Sequence, residues 1–274
     1  MLYFIIIILI LLLFYLLNNK LKLIIQKVEH FNKIPDILYK TGPYDLAPSY
    51  LEEIFYINKK KLNISKIYYF NDNECNDLIK TMDNNVIKAY DSLIPTAYKA
   101  DLWRYCVLYK YGGIYGDMTQ KFYLDYDIQK DNVDMVLVRD IRDEAIQISF
   151  MATVPNNPFF KYIIENITND ILLKKKGKNS LDITGPFAFC RYFKIFFGQN
   201  KIPEGTNKLL GLDGKYYIVR IDLRQHKGLI FKDIFNNNIV ASTKTSEHNN
   251  ELKIVTKMPK YSQLYKMNMI YKEN

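Results

Sequence analysis

The chain has 274 residues, a formal net charge of +9, and 49% hydrophobic against 24% charged residues. That balance excludes an intrinsically disordered chain, and three cysteines (Cys75, Cys106, Cys190), odd in number and without metal-ligand spacing, argue for buried thiols over a disulfide framework. The surplus of positive charge points to anionic partners such as a nucleotide diphosphate or a lipid surface, while nucleic-acid binding lacks a motif.

Leu2 to Leu17 is an unbroken apolar run, which reads as a single-pass membrane anchor over 1–18. No basic residue precedes it and no small-residue cleavage site comes after it, which speaks against a signal peptide. Lys20, Lys22 and Lys27 lie beyond it, so the positive-inside bias would hold the rest on the cytoplasmic side, against a lumenal topology; the side of the membrane stays open. A polar stalk over 19–33 leads to one domain, 34–274, large enough for a sizeable core.

Ile34 to Gly42 predicts a first strand, Pro48 to Lys59 a helix, and Lys66 to Phe70 a second strand of β-branched and aromatic residues. Tyr39 has two readings, a ring stacked on a base or a core residue. Asn71-Asp72-Asn73 caps a helix starting near Glu74, and strand, turn and helix in this order open a nucleotide-binding α/β half. Ile87 to Leu93 is a short helix, and Pro95 breaks the chain.

Ala97 to Gln120 is the segment around which the other elements are arranged. Leu102, Tyr105, Cys106 and Tyr109 fall on one helical face, while Asp101 and Arg104, three apart, project together from a neighbouring one. Gly112 and Gly113 end the helix, and Ile114-Tyr115 is a buried strand that delivers Asp117 and Thr119 to its carboxyl end, where ligands bind in α/β sheets. On extended chain those two side chains would point the same way.

Beyond it, Lys121 to Leu124 is extended and Asp134 to Arg139 is a buried strand ending in the charged group Arg139, Asp140, Arg142 and Asp143. That group is either a self-neutralising solvated loop or a donor or acceptor contact. Ile146 to Thr153 is another strand, with Gln147 as a candidate contact. Asn157-Pro158 starts a helix whose face Phe160, Ile163, Ile164, Ile167, Ile171 is packing. Lys174-Lys175-Lys176-Gly177-Lys178 reads as a solvated turn. Thr184-Gly185-Pro186 opens a further helix and is either a cap or an anion contact. Asp213-Gly214 marks a hairpin within Leu209 to Ile218, and a further strand reaches Ile221-Asp222-Leu223. His30, His226 and His248 are too dispersed to argue a metal cluster, and no nucleophile stands at a recognisable spacing from a base, which disfavours hydrolases.

Ala97-x-x-Ala100-Asp101-x-x-Arg104-Tyr105-x-x-Leu108-Tyr109-x-x-Gly112-Gly113-Ile114-Tyr115-x-Asp117 resembles the core of the glycosyltransferases with a DXD sugar-binding region, the group of yeast initiating mannosyltransferases and capsular polysaccharide synthesis proteins. The resemblance spans roughly Ile34 to Tyr271 and is densest from Ala97 to Asp117. It implies a GT-A-type α/β fold with a mostly parallel sheet flanked by helices, a nucleotide-sugar donor, a glycan or glycoprotein acceptor, and usually a divalent cation, Mn²⁺ or Mg²⁺. It implies that Asp101 and Arg104 hold donor-sugar hydroxyls and that Asp117 binds metal. Relatives retain the anomeric configuration. Thr184 and Gly185 match the family's Thr-Gly-Pro. Glu247-His248 and Tyr261-Ser262 resemble its closing segment, which would make Ser262 a further metal ligand and His248 a phosphate contact. Tyr39, Gly112 and Gly113 complete the expected substrate contacts. Thr119 stands where the family has a second Asp, and a neutral hydroxyl is a weaker ligand for a hard cation than a carboxylate. A non-catalytic sugar-nucleotide-binding protein on the same fold is the alternative that this departure leaves open.

Overall fold

A computed structural model describes residues 33–227, 229–243 and 259–273. The expected anchor over 1–18, nearly all of the stalk over 19–33, and His248 lie outside the described residues. Among the described residues, no helix is long and apolar enough to cross a membrane.

The first half keeps the alternation read from the sequence: β1 (Ile37–Thr41), α1 (Tyr50–Lys61), β2 (Lys66–Phe70), α2 (Asp72–Ile79), α3 (Asn84–Ser92), α4 (Thr96–Tyr111) and β3 (Gly113–Gly116). Turn chemistry sets the start of α2, where Asn71 Oδ1 accepts from the Glu74 amide and the Glu74 carboxylate accepts from the Asn71 amide, each at 2.9 Å. After β3 come β4 (Lys121–Phe122), β5 (Met135–Arg139), β6 (Ile146–Thr153), α5 (Pro158–Leu172) and α6 (Pro186–Phe196). Asn157 caps α5 by accepting from the Phe159 amide, with Pro158 in the first turn. The chain continues through β7 (Gly205–Leu210), β8 (Tyr216–His226), β9 (Ile230–Asp233), β10 (Ile239–Ser242) and α7 (Tyr261–Lys266).

The sheet is mixed, which corrects the mostly parallel expectation. Its order is β2-β1-β3-β6-β5-β8-β9-β10-β4, with β7 beside β8. Only β1/β2, β1/β3 and β5/β8 pair in parallel; the other pairings described are antiparallel. The cause is connection length. β5 and β6 are joined by a short loop, which permits only an antiparallel hairpin, and the same holds from β7 to β10.

Two apolar layers cover the sheet. One holds Trp103, Tyr105, Phe159, Phe189 and Phe193 from the helices; the other holds Leu38, Ile114, Val136, Phe150 and Phe231. Helix α4 departs from the one-faced pattern. Leu102 to Leu108 is buried on every side, because the sheet lies beneath it and α5 packs on it.

Gly112 closes α4 at φ 64°, ψ −159°, a conformation essentially reserved to glycine, and an added Cβ would lie 2.5 Å from the backbone nitrogen of Pro155. Gly112→Ala is therefore expected to lower stability by about 3 kcal/mol, the sum of backbone strain and overpacking. Urea unfolding checks this; a loss below about 1 kcal/mol would show that the Pro155 backbone yields freely.

Strand β6 contains the fold's local irregularity. Ile146 and Ile148 face one apolar layer while Phe150 and Ala152 face the other, although their spacing is even throughout. The pairing register slips between Val136 and Val138 against both β6 and β8. A bulge changes which face a side chain meets, so Gln147 and Ser149 are delivered to the carboxyl end of β3.

Candidate active site

Asp101 and Arg104 lie one turn apart on α4, and Asp117 comes directly after β3, so a helix and an adjacent strand aim three charged groups at one place. Arg104 Nη2 is 3.0 Å from Asp101 Oδ1, and Arg104 Nη1 is 3.5 Å from Asp117 Oδ1. The guanidinium also donates to the Ile148 carbonyl at 2.7 Å and lies over the Tyr115 ring at 4.4 Å. Burial opposes its charge, but Tyr115, Asp101 and Asp117 hold it protonated. Thr184 Oγ1 donates to Asp101 Oδ2 at 2.9 Å, and the Tyr115 hydroxyl donates to Asp117 Oδ1 at 3.0 Å. The second Asp117 oxygen has no protein partner among the described residues, and the side chain is one-third exposed.

These groups line a cleft of about 410 Å³. The same cleft is lined by Arg142, Gln147, Ser149, Gln225 and Tyr261. Arg142 donates through Nε and Nη2 to the two oxygens of Asp140 at 2.8 and 3.1 Å, and Asp140 is fully buried. This resolves the two readings of the charged group after β5. Asp140 and Arg142 are a rigid pair that presents a guanidinium to the cleft, whereas Arg139 and Asp143 pair on the surface. Gln147 Nε2 donates to Gln225 Oε1 at 2.7 Å, and the buried Ser149 hydroxyl lacks a partner among the described residues.

The turn bearing Asp117 is clamped from behind. Lys40, with 0% exposure, donates from Nζ to the Asp117 carbonyl at 2.8 Å. Asn58 on α1 donates to the Gln120 carbonyl at 2.6 Å and accepts from the Phe122 amide at 2.9 Å. Burial pushes the Lys40 ammonium down to about 7 from 10.5, with Asp117 pulling it back up. Its folded value lies below its unfolded one, so between these values the unfolded chain binds more protons and stability rises with pH. Lys40→Met is expected to remove that slope, about 1.4 kcal/mol per pH unit at most, and to raise stability at pH 7. Urea midpoints at pH 7 and 9.5 test it; a variant that keeps the wild-type slope assigns the titration elsewhere.

Other expected contacts fall outside the cleft. Tyr39 is a core residue, buried in register between Tyr68 and Tyr115, and its ring stacks on Tyr68 at 6.2 Å between centroids. Gly112 and Gly113 pack against Pro155, Pro35 and Ile37 at the opposite end of β3 from Asp117. Thr184 is fully buried and orients Asp101, and Gly185 serves as the cap of α6. Thr119 is not on extended chain. It occupies a turn in which Gln120 N donates to the Asp117 carbonyl, and its hydroxyl is buried, donating to the Thr243 carbonyl at 3.4 Å. Ser262 sits in α7 without lining the cleft; its neighbour Tyr261 does.

Sequence alone does not single out Lys40, Ser149, Gln225 or Tyr261 as contributors to this site. Lys40 does carry a signal, since period-2 alternation puts it on the face of Leu38, where a lysine is out of place.

The ionised groups described, Asp101 with Arg104, Asp140 with Arg142, and Asp117, leave one uncompensated negative charge facing the cavity. Among the described residues no group of three or more His, Cys, Asp or Glu side chains is placed to hold a metal ion, so a hard divalent cation at this cleft would draw most of its oxygens from elsewhere than the protein. Asp117 would be its protein carboxylate, and phosphate and water would supply the remaining oxygens.

Residues 50–149 match the family model described as a glycosyltransferase sugar-binding region containing a DXD motif. No curated protein matches the chain. Among solved structures it is similar to "PaToxG Glycosyltransferase" at 14% identity, over 65% of this chain and 77% of that one, with a TM-score of 0.43, a likeness too slight to carry an argument. The matched region contains Asp101, Arg104 and Asp117 and both elements that aim them into the cleft.

Proposed function

We propose that the cleft binds a nucleotide-diphosphate sugar and transfers its sugar, with retention, to a hydroxyl of a glycan or glycoprotein. The observation that carries this reading is the convergence of Asp101, Arg104 and Asp117 on one cavity. Asp101 accepts hydrogen bonds from sugar hydroxyls, held in place by Arg104 and Thr184. Arg104 locks the two carboxylates at fixed separation. Arg142, pinned by Asp140, lines the same cavity as a guanidinium for an oxyanion. Asp117 would hold a divalent cation, Mn²⁺ or Mg²⁺, which would supply charge compensation for a diphosphate leaving group. Thr119 and Ser262 contribute nothing to that site in this arrangement. The apolar run 2–17 is proposed as the anchor of the domain over 34–274.

Burial pushes the Asp101 carboxyl up to about 6, with Arg104 and Thr184 pulling it down and Asp117 raising it further. Its folded value exceeds its ordinary 3.8, so ionising it costs stability as pH rises between the two, while donor binding needs the ionised form. Donor kcat/KM is expected to fall on the acid side with a midpoint near 6. Asp101→Asn should flatten that limb and lower the plateau. A limb that persists in the variant would assign the titration to another group.

Thermal-shift screening of the full chain against UDP- and GDP-sugars, with and without Mn²⁺, then donor hydrolysis, tests the function. A Mn²⁺-dependent shift with turnover supports it. The absence of any nucleotide-sugar shift would sink it, and binding without turnover would mark a module that has lost its chemistry.

A further inference from the structure

The segments 172–178 and 260–273 form one surface. The Tyr265 hydroxyl donates to the Gly177 carbonyl at 3.4 Å, Lys174 Nζ donates to the Lys272 carbonyl at 3.4 Å, and Lys176 Nζ lies over the Tyr265 ring at 5.1 Å. The first segment contributes Lys174, Lys175, Lys176 and Lys178, and the second Lys260, Lys266 and Lys272. Glu273 is the one acid in either. Among the described residues only Lys175 of this group makes an ion pair, with Asp170, whose other oxygen is taken by Arg191. The remaining lysines carry charge that no described acid neutralises.

Apolar side chains stand exposed among them. Leu173 and Met267 are 61% and 60% exposed, and Leu172 and Met269 are also open to solvent. Phosphates of a nucleic acid gain nothing from leucine and methionine, and the two segments contain no arginine fork for paired recognition of phosphate. Lysines interleaved with flexible apolar side chains suit one partner better. Ammonium groups are drawn to an anionic headgroup layer while the apolar chains enter its acyl boundary.

We propose that this surface docks the chain on an anionic lipid bilayer. The same two stretches reach the cleft through Ser180 and Leu181, just beyond the first, and Tyr261, within the second, so docking sets the cleft mouth close to the lipid interface. The assignment stands independently of the chemistry proposed for the cleft, although an acceptor presented from the bilayer would rest on it.

The test is co-sedimentation of the full chain with phosphatidylcholine vesicles, with or without phosphatidylserine. The apolar run 2–17 favours both vesicle types alike, so the difference between them reports the lysines. Wild type should prefer the serine-lipid vesicles at least tenfold, and the preference should shrink with added salt. Lys174→Glu/Lys176→Glu/Lys178→Glu should weaken binding to those vesicles about a hundredfold. Leu173→Ser/Met267→Ser should weaken it several-fold while keeping the salt dependence. Nucleotide-sugar thermal shifts should be unchanged in both variants, which separates a failure of this surface from a failure of the cleft. A wild-type chain indifferent to phosphatidylserine, or a triple variant that keeps the preference, overturns the proposal. Tighter capture by heparin or polyglutamate than by vesicles would replace the bilayer with an acidic polymer.

Discussion

Asp117→Asn is expected to lower donor turnover by about 10²–10³-fold while leaving the fold intact. The turn around Asp117 is held through its backbone, since its amide donates to the Ser149 carbonyl at 2.8 Å and its carbonyl accepts from Lys40. Asparagine keeps those bonds and the side-chain volume. It removes the one charge, among the described residues of the cleft, that no protein cation fully offsets, and with it the proposed hold on a divalent cation. Unfolding midpoints within a few degrees of wild type, together with the collapse of turnover, are the expected pair of results. Turnover within tenfold of wild type would show that the carboxylate is not a metal ligand, and the proposed chemistry would need another centre.

Arg104→Leu should have the largest effect on stability. The guanidinium serves Asp101, Asp117 and the Ile148 carbonyl at once from a nearly dry position. Replacing it with an apolar chain strands Asp101 beside a carbonyl that has lost its donor, a loss of about 3–5 kcal/mol. The loss should depend on pH with a defined sign. Without Arg104 the folded-state carboxyl of Asp101 binds its proton still more tightly, so the variant is penalised less at pH 5 than at pH 8. Arg104→Lys retains charge but cannot reach two carboxylates and a carbonyl in one plane, so it should recover part of the stability and little of the turnover. Urea unfolding of both variants at the two pH values decides the matter. A loss below about 1 kcal/mol for Arg104→Leu would mean that solvent reaches the pair and does the work assigned to the guanidinium.

Much of the fold is legible in the sequence because local rules agree with it. Asn71 with Glu74 and Asn157 with Pro158 announce helix starts, and the Asp213-Gly214 turn announces the hairpin from β7 into β8. Local pattern does not show pairing direction, which connection lengths set, or β9 and β10, whose short segments lie between stretches of polar chain. Strand β8 runs unbroken for 11 residues where the sequence suggests a separate segment around Asp222. The charged cluster of the cleft is legible because Asp101, Arg104 and Asp117 lie within 17 consecutive positions whose geometry one helix and one strand dictate. The rest of the lining is not. Gln147 and Ser149 owe their direction to a bulge, and a one-residue slip in a strand reverses every side chain beyond it. Thr119 is misplaced by the sequence pattern for a related reason, since alternation reads as strand where the chain turns.

The residues that line the cleft also differ in when they become available. A nascent polypeptide emerging from the ribosome through β6 already carries Asp101, Arg104, Asp117 and Gln147, yet Gln225 and Tyr261 have still to be made. Until then the cleft lacks two of its lining side chains, and a polypeptide released before Tyr261 would hold the proposed donor more weakly. A chain cut short before Tyr261 should accordingly give a smaller nucleotide-sugar thermal shift than one that includes it.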